Sequence, residues 1–172
     1  MRKVIMLGIA TLLGAADLSS VIESPDATAI LLKDALPAPK MYTMPEGCIT
    51  DNSAAIARGK YIFHNLNGKE TKEPAPEGLV KILPNGKEKQ YGNCVACHNI
   101  EGAKGYGNIG PDLTNYKPLY MDNGVRNAQF VYQKIADPRV DNAQTHMTVN
   151  LANGLFTERE VCDLASYVAS KK

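Results

Sequence analysis

Cys94-Val95-Ala96-Cys97-His98 constrains this 172-residue chain more than any other segment. Two cysteines separated by two residues, with histidine directly after the second, form the pattern of c-type haem attachment. The chemistry sets the spacing. Two thiols add to the two vinyl groups on one porphyrin edge, so they must lie about one turn apart. The neighbouring imidazole then reaches the iron from the same side. A redox dithiol is an alternative, but it belongs beside a βαβ pattern that is not evident here. Half of a zinc site is another. It needs a second Cys/His pair at ligand spacing, and Cys48 and Cys162 stand far apart.

The N-terminus agrees with an exported haem protein. Met1-Arg2-Lys3 precedes an apolar or small run from Val4 to Gly14, then Ala15-Ala16-Asp17. That order predicts a secretory signal peptide over residues 1–16. The neighbourhoods of Ala10 and Ser20 are alternative cleavage regions. The apolar run is short for a transmembrane helix, and an uncleaved anchor is the competing reading. Removing Arg2 and Lys3 takes the formal charge from +1 to −1. No excess of basic charge points to nucleic acid. Trp is absent, which a small domain can accommodate when a porphyrin supplies much of its core.

The remaining chain reads as mainly α. Residues 17–49 carry Pro25, Pro37, Pro39 and Pro45 and predict an extension that wraps the core or a partner, with a short helix at most from Ala27 to Leu36. Residues 50–172 are long enough for one domain with a core of its own. Ser53 is placed to cap a helix running to about His64, with Ala54, Ile56, Ala57, Lys60, Tyr61 and Phe63 on its inner face. Gly59 in that helix costs stability and hints at close approach by another helix. Residues 65–91 form an insertion. Leu79–Leu83, Pro84-Asn85-Gly86 and Lys87–Tyr91 predict a small hairpin, taken as a solvated surface excursion. Gly110-Pro111 is expected to bring backbone close to a flat cofactor. Asn127–Ala136 is amphipathic and stops at Asp137-Pro138. Thr157-Glu158-Arg159-Glu160 is a capping box opening a final helix with Val161, Leu164, Ala165 and Val168 on one face.

His98 is the expected proximal ligand of the iron. A methionine in the sixth position raises the reduction potential relative to histidine. Met147 is favoured, since it sits in a non-helical stretch far enough after His98 for the chain to cross to the other haem face. Met121 and His146 are the alternatives, and Cys48 is a further one.

The order of capped helix, haem motif, Gly110-Pro111-Asp112-Leu113, Met147 and final helix resembles class I cytochrome c over residues 50–172. The resemblance implies that Gly59 and Phe63 meet Leu164 and Tyr167 where the two helices cross. It also implies that the Pro111 carbonyl accepts the second N–H of His98. A closer resemblance is to the SoxX family of small haem subunits in periplasmic SoxAX complexes. It rests on Gly92–His98, Gly107–Leu113, and Ile135-Ala136-Asp137-Pro138-Arg139 placed before Thr145-His146-Met147. Thr148 stands where that family usually has proline, and the insertion is longer than usual. The resemblance implies one covalent haem c and a redox rather than substrate-binding role. It further implies a SoxA-like haem partner, a SoxYZ-like carrier and a soluble cytochrome as electron acceptor.

Cys48 and Cys162 form an even pair in an exported chain. A disulfide would tie the extension to the final helix. Free thiols and a bridge to a partner chain are alternatives. Lys104, Lys117 and Arg126 flank the expected haem region and read chiefly as solvated charges. His64 reads as a surface or capping residue. The functional rivals are a free monohaem carrier and a haem sensor with an open sixth site.

Overall fold

The structure is a computed structural model that describes residues 36–103 and 107–170. The expected signal peptide, the Ala27–Leu36 helix apart from Leu36, and Lys104 lie outside the described residues. Helices α1 (Ser53–His64), α2 (Ala128–Ala136) and α3 (Glu158–Ala169) build the frame. Short helical turns at Cys94–Ala96, Lys117–Met121 and Pro138–Val140 join them.

α1 begins one residue earlier than the serine suggests. Asn52 is the cap, its side chain accepting from the amides of Ala54 at 2.9 Å and Ala55 at 3.2 Å. The inner face also differs from the expected one. Ala55, Gly59, Tyr61, Ile62 and Phe63 are buried, whereas Ala54, Ala57 and Lys60 are exposed. The cause is the crossing with α3. A Cβ built on Gly59 would lie 1.9 Å from the Asp163 carbonyl oxygen and 2.9 Å from Tyr167 Cβ. Two helix backbones therefore touch at the glycine, which turns its own stripe inward. Phe63 meets Tyr167 edge-on, with ring centroids 5.5 Å apart. Arg58 and Asp163 close the crossing through paired bonds of 2.7 and 2.8 Å.

α3 starts at a complete capping box formed by Thr157 and Glu160. Val161, Leu164 and Ala165 are buried in the central cluster with Ile62, Phe63 and Tyr132. Cys48 and Cys162 are joined in a disulfide with their Cα atoms 4.9 Å apart. This ties the segment before α1 to α3 across 114 residues of chain.

The insertion is less solvated than its charges suggest. It folds back as a hairpin without extended strands, pairing Asn67 with Gln90 and Ile82 with Glu88. Tyr91 packs into the core and sets its ring edge-on to Tyr61 at 5.3 Å. The Lys89 ammonium, with 13 % of its side chain exposed, pairs with Glu160 at 3.0 Å. It also donates to the Leu155 carbonyl at 3.1 Å. The insertion is thereby fastened to the start of α3.

Candidate haem site

The residue before the cysteine motif decides how the motif is presented. Asn93 takes a left-handed conformation (φ 44°, ψ 40°) and turns the chain into a single tight helical turn from Cys94 to Ala96. Asparagine tolerates that region better than most residues. The Cys94 carbonyl then accepts from the amides of Cys97 at 3.1 Å and His98 at 2.8 Å. One turn thus sets both thiols and the imidazole on one wall of a cavity. Gly92 leaves room for the first thiol, since a Cβ there would come within 2.7 Å of Cys94 Sγ.

Residues 107–114 wrap the motif from behind. Gly110 donates its amide to the Cys97 carbonyl at 2.9 Å, and Leu113 donates to Asn99 at 2.8 Å. His98 Nδ1 lies 2.8 Å from the Pro111 carbonyl oxygen. A carbonyl only accepts, so Nδ1 carries the proton and Nε2 is left with a free lone pair for a metal. The resemblance implies this pair, and the structure places it. Gly110 itself lies flat against the imidazole: a Cβ would sit 2.4 Å from His98 Cε1. The close approach at Gly110 is therefore to the histidine ring, while Pro111 lines the cavity. Asp112 fixes the loop by accepting from Thr114 and Asn99 at 2.7 Å each. The Thr114 amide, helped by the Thr114 hydroxyl and Asn99, holds its carboxyl below the usual range.

The cavity measures about 700 Å³, within the range that binds cofactors. Cys94, Cys97 and His98 line it together with His146 and Met147. Met121 does not line it; this side chain packs partly buried against the core cluster. Sequence reasoning missed the rest of the wall. Tyr116, Tyr120, Phe130 and Ile135 complete the apolar lining, and Leu164 and Val168 of α3 close its floor. Helical periodicity marks such residues as core and does not separate those facing a neighbour helix from those facing a cofactor. Arg126 also lines the cavity and lies over the Phe130 ring at 4.3 Å while remaining exposed. Lys117 pairs with Asp122. His64 is half-buried in the last turn of α1, with Nε2 2.8 Å from the Tyr167 hydroxyl.

The competing readings of the motif are less well supported. Burial pushes the Cys94 thiol up to about 12, the direction opposite to the stabilised thiolate of a reactive dithiol. Cys48 and Cys162 are bonded to each other and cannot complete a zinc site. Among the described residues no group of three or more His, Cys, Asp or Glu is placed to hold a metal ion. Two thiols, one imidazole with its tautomer fixed and a large apolar cavity do fit a covalently attached haem.

The cytochrome c family model matches residues 56–172, more than half of the chain. This chain belongs to the cytochrome c family, and its mainly-α architecture is the class I cytochrome c fold. It is an electron-transfer haem protein, and membership of the family implies covalently bound haem c. No curated protein matches the chain. Among the described residues no helix is long and apolar enough to cross a membrane.

Proposed function

We propose that this chain is a periplasmic monohaem cytochrome, the electron-transfer subunit of a SoxAX-type complex (L-cysteine S-thiosulfotransferase). The carrying observation is the gathering of Cys94, Cys97, His98 and Met147 around one cavity. In this reading Cys94 and Cys97 would hold one haem c through thioether bonds, and His98 and Met147 would be its iron's protein donors. Haem iron exchanges one electron at a time between its ferrous and ferric states. The protein's part is to fix both donors and exclude water. Pro111 orients His98, and with Met147 as the second donor the iron would have no open coordination position. That favours electron transfer over sensing.

The SoxX assignment is supported by Gly92–His98, Gly107–Leu113 and Ile135–Arg139 ahead of Thr145–Met147. In SoxAX chemistry a carrier cysteine thiol and thiosulfate form an S–S bond, releasing one proton and two electrons. A SoxA-like subunit holds the bond-forming site, and a SoxYZ-like protein carries the cysteine. The present chain takes the electrons in succession and passes them to a soluble cytochrome. The signal peptide over residues 1–16 delivers the chain to the periplasm, where haem attachment takes place. Co-expression with a SoxA-like chain tests the assignment. A stable heterodimer whose haem here is reduced by thiosulfate in the presence of the carrier is the expected result. Recovery as a free monohaem protein that never associates with a SoxA-like chain would replace it with a free carrier.

A further inference from the structure

The arm before α1 is held by a ladder that its own sequence does not announce. Gln129, Gln133 and Asp137 stand at i, i+4 and i+8, one stripe along and just past α2. Opposite them run alternate residues of the arm. Gln129 Oε1 accepts the Met44 amide at 2.9 Å, and its Nε2 donates to the Tyr42 carbonyl at 2.8 Å. Gln133 Oε1 accepts the Tyr42 amide at 2.7 Å, and its Nε2 donates to the Lys40 carbonyl at 3.1 Å. Asp137 Oδ2 accepts the Lys40 amide at 3.2 Å. Arg139, paired with both oxygens of Asp137, donates to the Pro37 carbonyl at 2.8 Å. The register has a physical cause. Four helical residues rise about 6 Å and two extended residues advance about 6.6 Å, so the two rows stay in step over three rungs. The seat is deep, with Asp137 fully buried and Gln133 nearly so.

The same end of α2 holds the segment that carries Met147. The amides of Asn150 and Leu151 both donate to the Ala136 carbonyl, at 3.0 and 3.1 Å. The Asn150 side chain donates to the Ile135 carbonyl at 2.6 Å and accepts from Thr148 Oγ1 at 3.0 Å. Gln133 couples the two sides, because its Nε2 also donates to the Asp137 carbonyl at 3.0 Å, fixing the exit of the helix.

We propose that arm residues 37–44 are a strap that positions the sixth ligand, and that Gln129, Gln133 and Asp137 are positioning residues for Met147. Seated, the strap fixes the exit of α2 and so the Met147 segment. Released, it lets that segment loosen and Met147 withdraw from the iron. The inference rests on Met147 being the axial donor.

Tyr42→Pro in the full-length haem-loaded protein removes the N–H that Gln133 accepts. Met41→Pro, at the exposed residue between rungs, is the control. Tyr42→Pro is expected to exchange the Asn150 and Leu151 amides about tenfold faster than the parent. Its oxidised form should lose sulfur–iron absorption, and its reduced form should bind carbon monoxide. Met41→Pro should match the parent in all three. A Tyr42→Pro protein that trypsin cuts after Lys40, yet whose loop exchange and carbon monoxide binding are unchanged, overturns the strap. Should that variant not fold, hydrogen exchange of the parent in rising urea decides. The amides of Lys40, Tyr42 and Met44 are expected to open together with those of Asn150 and Leu151. Arm opening that leaves the loop protected overturns the proposal. A parent lacking sulfur–iron absorption refutes the Met147 ligand itself, and the exchange data still judge the strap.

Discussion

Two glycines do the work that side chains cannot at the points where this molecule is tightest. At Gly59 the α1 backbone meets the Asp163 carbonyl, leaving no room for a methyl group. Gly59→Ala is expected to force α1 and α3 apart and to cost about 1–3 kcal/mol as an overpacking change. Chemical denaturation of the haem-loaded protein measures this, and an unchanged midpoint would contradict the crossing. At Gly110 the contact is with the imidazole of His98. The sequence showed both glycines, but only Gly59 was legible as a helix contact, because a glycine inside a helical pattern carries a propensity cost that asks for a reason. Gly110 lies in a glycine-rich loop, where nothing in the pattern tells a backbone set against a ring from a backbone set against a cofactor. The haem motif was legible in full, since three uncommon residues in a fixed frame have few other uses.

At the scale of elements, caps were easier to read than faces. Thr157 and Glu160 announced α3, and the structure holds the capping box. Ser53 was one residue late because Asn52, an equally good cap, stands next to it. The buried face of α1 was misjudged because alanines occur on both sides of that helix, and which side turns inward is decided by the partner helix. Lys89 was hidden for a related reason: its burial depends on Glu160, 71 residues away. The arm's seat was wholly illegible in the arm, because glutamine side chains grip its main chain and leave no trace in its side-chain pattern. The disulfide is the element-scale feature with the largest expected effect. Closing 114 residues corresponds to roughly 4–5 kcal/mol on the chain-entropy model. Cys48→Ser with Cys162→Ser is expected to lower the unfolding free energy by up to that amount, with the haem still attached. Equal stability of the variant and the oxidised parent would show that the bridge restrains little.

For the whole molecule, the fold explains why so slight a chain can enclose a large cofactor. α1 and α3 cross behind the cavity, and the Cys94–Ala96 turn presents the attachment residues on one wall. The segment after α2 brings Met147 to the same space. The expected class was readable from the order of these pieces along the chain. The SoxA-like partner is implied by the resemblance alone, since a docking surface is a property of exposed residues gathered from several segments. In the proposed function His98 and Met147 are the two protein donors to the haem iron. The direct test is the sulfur–iron charge-transfer absorption of the oxidised protein, compared across the parent, Met147→Leu and Met121→Leu. The band is expected in the parent and in Met121→Leu, and its loss is expected in Met147→Leu. A parent without the band, or a Met147→Leu variant that keeps it, would contradict the claim.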